Sequence, residues 1–244
     1  MTVQVGTSGF HYKHWRNRFY PHDSPSSKWL DYYCRHFGTV EINNSFYRLP
    51  DAKTLQTWRE TTPEQFVFAV KGSRFLTHMK KLKDPEPGIE RFFERIFTLE
   101  PKLGPVLFQL PPFWEKNAER LEVFLRALPQ GLRYSFEFRN PTWHVPEIYG
   151  ILQAHNAAFC PFDLGGFQSP VEITADWTYI RLHGPGGKYQ GSYSDEALGS
   201  WARRIDDWRQ NLRAVYFYFD NDMEGYAAAN AATLQRMVKA GSPA

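Results

Sequence analysis

The sequence RYSFEFR at positions 133–139 has the clearest strand pattern in the chain. Aromatic residues alternate there with a serine, an acid and a base, in the order Tyr134, Ser135, Phe136, Glu137, Phe138 and Arg139. Side chains two residues apart share one face of a β-strand, so the aromatic set lies on one face and the polar set on the other. The stretch therefore predicts a strand with an apolar face toward helices and a polar face that ends in charges.

Seven other short apolar runs are also predicted strands, and stretches of helical period separate most of them. The eight predicted strands are Val3–Ser8, Thr39–Asn43, Phe66–Lys71, Val106–Leu110, Arg133–Arg139, Ala158–Asp163, Tyr179–His183 and Val215–Asp220. The clearest helix has apolar residues at spacings of 3, 4, 3 and 4, at Leu198, Trp201, Ile205, Trp208 and Leu212. Alternating strands and helices predict an α/β fold with a parallel sheet.

Eight strand–helix units in about 240 residues match the count and size of a (β/α)8 barrel. We predict one TIM-barrel-like domain over residues 1–240, followed by a frayed C-terminal tail at 241–244. Residues 164–176 contain Gly165, Gly166 and Pro170 and no helical period, so the sixth helix is expected to be absent or irregular. A doubly wound open sheet is the alternative, although no G-x-G-x-x-G motif opens a helix.

The composition is that of a globular protein without a strong charge bias. The chain has 244 residues, of which 42% are hydrophobic and 23% charged, and its formal net charge is +3. No apolar run approaches the roughly 18 residues of a membrane span, and no secretory signal is visible at the start. Two distant cysteines, Cys34 and Cys160, exclude a disulfide scaffold and a cysteine zinc knuckle. We predict a cytoplasmic protein with no membrane partner.

Charged side chains lie near the C-terminal ends of the predicted strands, where barrel enzymes place their active sites. They are Glu41, Lys71, Glu137, Arg139, Arg181 and His183. Burying such charges costs several kcal/mol per ion unless they are paired, so stability alone favours Val, Ile and Leu there. Two alternatives remain open: an antiparallel sheet with one wet face, and an internal salt-bridge network with no ligand.

Short motifs along nearly the whole chain resemble the domain of unknown function 72, or YecE-like, family. They include GTSGF at 6–10, VEIN at 40–43, FAVK at 68–71, TH at 77–78, QLPP at 109–112, EFR at 137–139 and RLHG at 181–184. The resemblance implies a TIM-barrel-like fold and no established activity. The family's recurring polar residues fall on Glu41, Asn43, Lys71, Gln109, Glu137, Arg139, Arg181 and His183. One departure is Asp220, where the family pattern has asparagine, whereas Asn221 matches.

The chemistry of these residues points to an anionic ligand. Arginine offers a planar fork to phosphate or carboxylate, and lysine offers a point charge. We assign general acid or base roles to three residues, Glu137, His183 and Glu41. We assign substrate binding to Lys71, Arg139, Arg181, Asn43, Gln109, Asn221, Trp15 and Tyr47.

Two loop features add to this prediction, and each has a purely structural alternative. A basic loop follows the third strand, with Arg74, His78, Lys80, Lys81 and Lys83. Aromatic residues that could stack on a base or a sugar, or instead cap the core, are Trp15, Phe46, Tyr47, Trp143, Tyr189 and Tyr193.

The leading functional prediction is acid–base hydrolysis or transfer on a phosphate-bearing substrate. One alternative is a non-catalytic protein that binds nucleic acid or a phosphorylated ligand. A second is a divalent-metal-dependent barrel of the nuclease or isomerase kind, with Glu41, Glu137, Asp163, His183 and Asp220 as oxygen and nitrogen donors. Three nearby cations oppose a metal, so we assign no metal ligand, and the sequence leaves the cofactor and the oligomeric state open.

Overall fold

The computed structural model describes residues 1–241 of the chain. Its strands are β1 (Thr2–Thr7), β2 (Thr39–Ile42), β3 (Val67–Lys71), β4 (Leu103–Leu110), β5 (Tyr134–Phe138), β6 (Ala158–Phe159), β7 (Phe162–Leu164), β8 (Phe167–Gln168), β9 (Trp177–Leu182) and β10 (Ala214–Phe219). Its α-helices are α1 (Trp29–Cys34), α2 (Ala52–Thr61), α3 (Glu86–Ile96), α4 (Ala118–Ala127), α5 (Pro146–Ala154), α6 (Asp195–Asp207) and α7 (Tyr226–Ala240).

Single-turn and irregular helices lie mostly in the connections. The 3-10 turns are Lys13–Trp15, Ser26–Lys28, Asn44–Phe46, Phe97–Leu99, Pro141–Trp143, Trp208–Gln210 and Met223–Gly225, and Phe75–Met79 forms a π-helical turn. Apart from Gly241, the predicted tail lies outside the described residues.

The strands form two sheets, ordered β2–β3–β4–β5–β6 and β1–β10–β9–β7–β8. The pairs β3–β4, β4–β5, β5–β6, β1–β10, β10–β9 and β7–β9 are parallel, whereas β7–β8 is antiparallel. The predicted α/β fold with parallel strands is confirmed, and the antiparallel alternative is wrong. The closed (β/α)8 barrel stays a prediction.

Contacts between residues group the chain into two compact units, which we describe separately. Unit 1 comprises residues 1–41, 161–169 and the chain from Asp176 onward. Unit 2 comprises residues 42–160 and 170–175. The single-domain assignment over residues 1–240 stays a prediction.

The prediction of one continuous sixth strand over Ala158–Asp163 is wrong. The structure divides it into β6 and β7 around Cys160 and Pro161, because proline has no N–H to donate to a ladder. After β7 the chain turns back through Gly165 and Gly166, which have φ angles of 60° and 84°. Two successive positive φ angles suit a two-residue hairpin turn, so the chain forms β8. Within residues 1–241 no helix lies between β7 and β9, as the missing helical period predicted.

The helices begin where the sequence supplies caps. Ser194 accepts a hydrogen bond from the Ala197 N–H at 3.2 Å at the start of α6, and Asn117 accepts one from the Arg120 N–H at 2.8 Å at the start of α4. Such caps satisfy N–H groups that have no partner within the helix.

The aromatic face of the strands packs against helices, as the alternating pattern predicted. In unit 2, the Phe124 ring of α4 lies 4.9 Å from the Phe108 ring of β4 and 6.2 Å from the Phe136 ring of β5. In unit 1, the Trp201 ring of α6 lies 5.3 Å from the Phe217 ring of β10. Because neighbouring residues point to opposite faces, the polar side chains of these strands lie on the face away from the helices.

Candidate functional site

Unit 1 buries an arginine among carboxylates, and we call this group the arginine cluster. Its members are Ser8, Glu41, Tyr179, Arg181, His183 and Asp220. Arg181 Nη2 donates to Glu41 Oε1 at 2.8 Å and to Asp220 Oδ2 at 3.0 Å. The same nitrogen lies 3.2 Å from Ser8 Oγ. One guanidinium thus faces two buried carboxylates, which makes this cluster a salt-bridge network of the kind that the structural alternative anticipated.

Glu41 accepts hydrogen bonds on both carboxylate oxygens. The Ser8 hydroxyl donates to Oε1, which Arg181 also contacts, and the Tyr179 hydroxyl donates to Oε2 at 2.6 Å. Burial, reinforced by the charge of Glu41, raises the pKa of Tyr179 well above its ordinary value. Tyr179 therefore stays a hydrogen-bond donor, and this arrangement suits a fixed counter-ion for Arg181 better than a mobile base.

His183 accepts a hydrogen bond from Arg181, which identifies its tautomer. Arg181 Nη1 lies 2.9 Å from His183 Nε2, and His183 Nδ1 lies 2.9 Å from the Asp163 carbonyl oxygen. A guanidinium can only donate, so Nε2 carries the lone pair and the Nδ1–H donates to the carbonyl. His183 is therefore a neutral imidazole, and gaining a proton at Nε2 would break its contact with Arg181.

Asn221 stabilises the connection that precedes α6. Its Nδ2 donates to the Gly191 carbonyl at 2.8 Å and to Asn230 Oδ1 at 2.9 Å, and the Tyr193 N–H donates to Asn230 Oδ1 at 3.1 Å. Asn221 is fully buried. The structure thus gives this predicted substrate-binding residue a set of internal partners.

Asp163 of β7 is buried, and burial raises its pKa, although hydrogen bonds from Tyr193 and Gln168 oppose that rise. A raised carboxyl pKa means that ionisation of the carboxyl group costs more free energy in the folded state than in the unfolded state. The free energy of unfolding therefore falls as the pH rises from the pKa of Asp163 in the unfolded state to its pKa in the folded state. We expect Asp163→Asn to remove this loss, so that the variant gains stability relative to the wild type as the pH rises toward neutrality. Urea unfolding of both proteins across the acid range measures it.

Asp23→Asn is the matched control, because the Asp23 side chain is 96% exposed. Its unfolding free energy should follow that of the wild type at every pH. If the wild type instead gains free energy of unfolding relative to Asp163→Asn as the pH rises, the pKa of Asp163 is not raised in the folded state.

Unit 2 places a second polar group at the carboxyl ends of β3, β4 and β5, and we call it the basic cluster. Its members are Lys71, Arg74, His78, Gln109, Glu137 and Arg139. Gln109 and Glu137 are register partners on the neighbouring strands β4 and β5. Lys71 ends β3, and Arg139 directly follows β5. Parallel strands have their carboxyl ends on the same side of the sheet, which is why residues so distant in sequence lie close together here.

Two cations of the basic cluster, Lys71 and Arg139, are largely removed from solvent, whereas Arg74 is exposed. Arg139 Nε donates to Glu137 Oε1 at 2.7 Å, and the two side chains are 16% and 0% exposed. Lys71 is buried, and its Nζ lies 4.5 Å from the centroid of the Phe46 ring. Contact with a ring face stabilises an ammonium group that has lost water.

His78 is the functional candidate that the sequence did not assign to catalysis or binding. It lies on the π-helical turn Phe75–Met79 and is half-buried. Burial lowers its pKa to about 4, with further lowering by Lys71, Arg139 and Arg74, while Glu137 raises it. The available signals were its place in the basic loop and in the matched motif TH at 77–78.

The remaining predicted binding residues differ in exposure. Tyr47 is 79% exposed, and Asn43 is partly exposed just before the turn Asn44–Phe46. Trp15 is fully buried, and its Nε1 donates to the Asp222 carbonyl at 2.7 Å. The structure thus places Tyr47 where a ligand has access and Trp15 in the core of unit 1.

Two features are absent from the described part of the chain. Across residues 1–241, no three His, Cys, Asp or Glu side chains are grouped so as to hold a metal ion. In the same part of the chain, no helix combines the length and the apolar character needed to cross a bilayer.

The chain is thus an α/β protein with parallel strands, and its candidate site residues lie at the carboxyl ends of those strands. The family model described as "Protein of unknown function DUF72" matches residues 4–244. The chain belongs to this family, which confirms the resemblance.

Two of the three relatives described here match most of the chain, and the third matches about half of it. UPF0759 protein YunF of Bacillus subtilis is 28% identical over 244 residues, with 86% of each protein covered. UPF0759 protein YecE of Escherichia coli is 34% identical over 113 residues, 46% of this chain and 42% of that protein. The crystal structure of a DUF72 family protein from Thermotoga maritima has a TM-score of 0.90 at 29% identity, covering 98% of this chain and 100% of that one.

Proposed function

We propose that the basic cluster binds a phosphate-bearing substrate and that the protein hydrolyses it or transfers its phosphoryl group. One observation carries the proposal: Lys71 at the end of β3 and Arg139 directly after β5 are both largely buried at the carboxyl ends of the strands. In the arginine cluster, by contrast, Arg181 faces two carboxylates, so that group carries no excess of positive charge. An excess of partly desolvated cations favours an anion.

The geometry supplies both binding and proton transfer. Glu137 orients the Arg139 guanidinium by accepting a hydrogen bond from its Nε. A planar guanidinium binds phosphate through paired N–H groups. Lys71 adds a point charge. Glu137, which the sequence analysis assigns to catalysis, is the general base of this proposal. The site at the carboxyl ends of the strands, the (β/α)8 barrel and a cytoplasmic location belong to the same proposal.

The test is turnover of a panel of phosphomonoesters and phosphodiesters by purified protein. We expect Glu137→Gln to lower kcat about 10²–10⁴-fold, as removal of a general base does. Glu147→Gln is the control, because Glu147 forms an exposed ion pair with Lys116. Circular dichroism establishes that both variants fold.

Equal turnover by wild type and Glu137→Gln removes that residue from the mechanism. Absence of turnover together with ligand binding that survives Glu137→Gln and weakens steeply with salt would favour the non-catalytic alternative instead. Activity that is lost with a chelator and restored by a divalent metal would favour the metal-dependent alternative.

A further inference from the structure

We infer that the connections after β2, β3 and β4 bind single-stranded nucleic acid, with bases stacked on Tyr47 and Phe113 and phosphates on the cations between them. This inference rests on the proposed function, because it names a single-stranded polynucleotide as the phosphate-bearing substrate. The exposure of the two rings, their contacts and the charge of the loop between them support it. All the residues concerned belong to unit 2.

Three large apolar side chains in the described part of the chain are more than half exposed, and they follow three neighbouring strands. Tyr47 after β2 is 79% exposed, Met79 after β3 is 68% exposed and Phe113 after β4 is 71% exposed. The strands β2, β3 and β4 are neighbours in one sheet. Such a concentration of exposed apolar side chains is typical of a binding surface.

Tyr47 lies on a turn that hydrogen bonds fix to the end of β3. Its N–H donates to the Asn44 carbonyl at 3.1 Å, and the Ser45 hydroxyl donates to the Lys71 carbonyl at 2.6 Å. The Tyr47 ring packs edge-on against the Phe46 ring, with the centroids 4.9 Å apart. The exposed ring therefore lies beside the buried ring that contacts the Lys71 ammonium group.

Phe113 lies on a second turn of restricted conformation. Pro111 and Pro112 precede it, and a proline ring fixes the backbone φ angle. Asn140 Nδ2, from the connection after β5, donates to the Pro112 carbonyl at 2.8 Å. Lys81 Nζ lies 5.6 Å from the centroid of the Phe113 ring. Because both rings are carried by ordered turns, a base that stacks on them costs little conformational entropy.

The loop between the two rings is strongly basic. Residues 72–85 contain four Lys or Arg side chains and one carboxylate, that of Asp84. Lys80 Nζ lies 3.8 Å from the Asp84 carboxylate, and Arg74 and Lys83 are exposed. In a nucleic acid strand a phosphate separates each base from the next. A basic loop between two exposed rings matches that order, since bases stack on aromatic rings and phosphates pair with cations.

Two features favour a single strand over other anionic partners. In a duplex the base faces are covered by neighbouring bases, so an exposed protein ring has no free face to stack on. Lipid headgroups at a bilayer surface contact exposed side chains, yet Lys71 and Arg139 are largely buried at the strand ends. A single strand over those ends offers free base faces and a phosphate for the basic cluster.

A phosphate within such a strand is a diester, and its hydrolysis changes a defined set of bonds. Water loses a proton to Glu137, and the water oxygen bonds to phosphorus. One P–O bond to a sugar breaks, and the released sugar oxygen takes up the proton from Glu137. The products are two shorter strands, so cleavage is measured by their length.

The experiment is binding of the full chain to a fluorescent oligothymidylate, measured by anisotropy. A length of about 12 nucleotides lies within the range of about 4–16 that one single-strand-binding fold covers. We expect Tyr47→Ala and Phe113→Ala each to weaken binding about 5–150-fold, the loss of one stacked base. Tyr47→Phe keeps the ring and should bind like the wild type. Phe167→Ala is the matched control, because Phe167 is a 42% exposed phenylalanine of unit 1.

The phosphate contacts are tested by Arg74→Gln and Lys83→Gln, which change exposed side chains. Each should weaken binding at low salt. Each should also reduce the slope of log affinity against log salt concentration by about 0.7 for a lost phosphate contact. A duplex of the same length and vesicles of phosphatidylserine and phosphatidylcholine are the competing ligands, and both should bind more weakly than the single strand.

Each result leads to a separate conclusion. Oligothymidylate binding that Tyr47→Ala and Phe113→Ala leave unchanged, or tighter binding to the duplex or the vesicles, overturns this inference. Turnover of phosphomonoesters that depends on Glu137 would then leave the proposed function standing. Strand binding that depends on both rings, without cleavage of the strand, supports the binding surface and overturns the proposed hydrolysis.

Discussion

Arg181→Ala should lower the free energy of unfolding by about 3–5 kcal/mol, the range for breaking a buried ion pair by removing one partner. The substitution leaves Glu41 and Asp220 buried without the guanidinium that lies 2.8 Å and 3.0 Å from them. It also removes the donor to His183 Nε2. Urea unfolding at neutral pH, followed by tryptophan fluorescence, measures the loss.

Arg35→Ala is the matched control for this substitution. Arg35 forms an i,i+4 ion pair with Asp31 in which the side chains are 67% and 55% exposed. Exposed helical pairs contribute about 0.3–0.5 kcal/mol, so this variant should stay close to the wild type. An Arg181→Ala protein as stable as Arg35→Ala would mean that the arginine cluster is not a structural network.

Trp143→Ala should be nearly as destabilising, with an expected loss of about 3–5 kcal/mol for deletion of a large buried aromatic side chain. Trp143 is fully buried in unit 2, and its ring stacks on Phe138 with centroids 4.9 Å apart. Its Nε1 donates to the Trp114 carbonyl at 2.8 Å. Chemical denaturation measures the change, and Trp143→Phe, which keeps the aromatic ring, should lose less.

Tyr47→Ala separates the two roles that loop aromatics could have. Tyr47 is 79% exposed, so its removal should change stability by less than about 0.5 kcal/mol. If Trp143→Ala instead leaves stability unchanged and abolishes anion binding, Trp143 is a ligand platform and its assignment to the core is wrong.

The strand pattern could be predicted because alternation is a local property. Tyr134, Phe136 and Phe138 alternate with polar residues, and that alone placed Glu137 on the face away from the helices. The sixth strand was predicted as continuous because its apolar composition masks a break at Pro161. Proline removes a ladder donor at one position, and the rest of the run gives no sign of where pairing resumes.

The candidate site was predictable as a set of residues but not as two groups. Arg181 and Arg139 look alike in sequence, since each lies at the end of an alternating strand. Only the structure shows that Arg181 faces two buried carboxylates, whereas Arg139 forms an ion pair with Glu137 in the basic cluster. The sequence places His78 only in a basic loop, because its place in the candidate site depends on residues that come from three different strands.

The parallel α/β architecture, the family and the side-chain types at the strand ends could be predicted from the chain alone, because periodicity and motif order are local features of the sequence. Which carboxylates pair with Arg181 and which with Arg139 depends instead on how the strands come together in the fold. Electrostatic energy depends on distance and burial, and neither can be read from the order of residues.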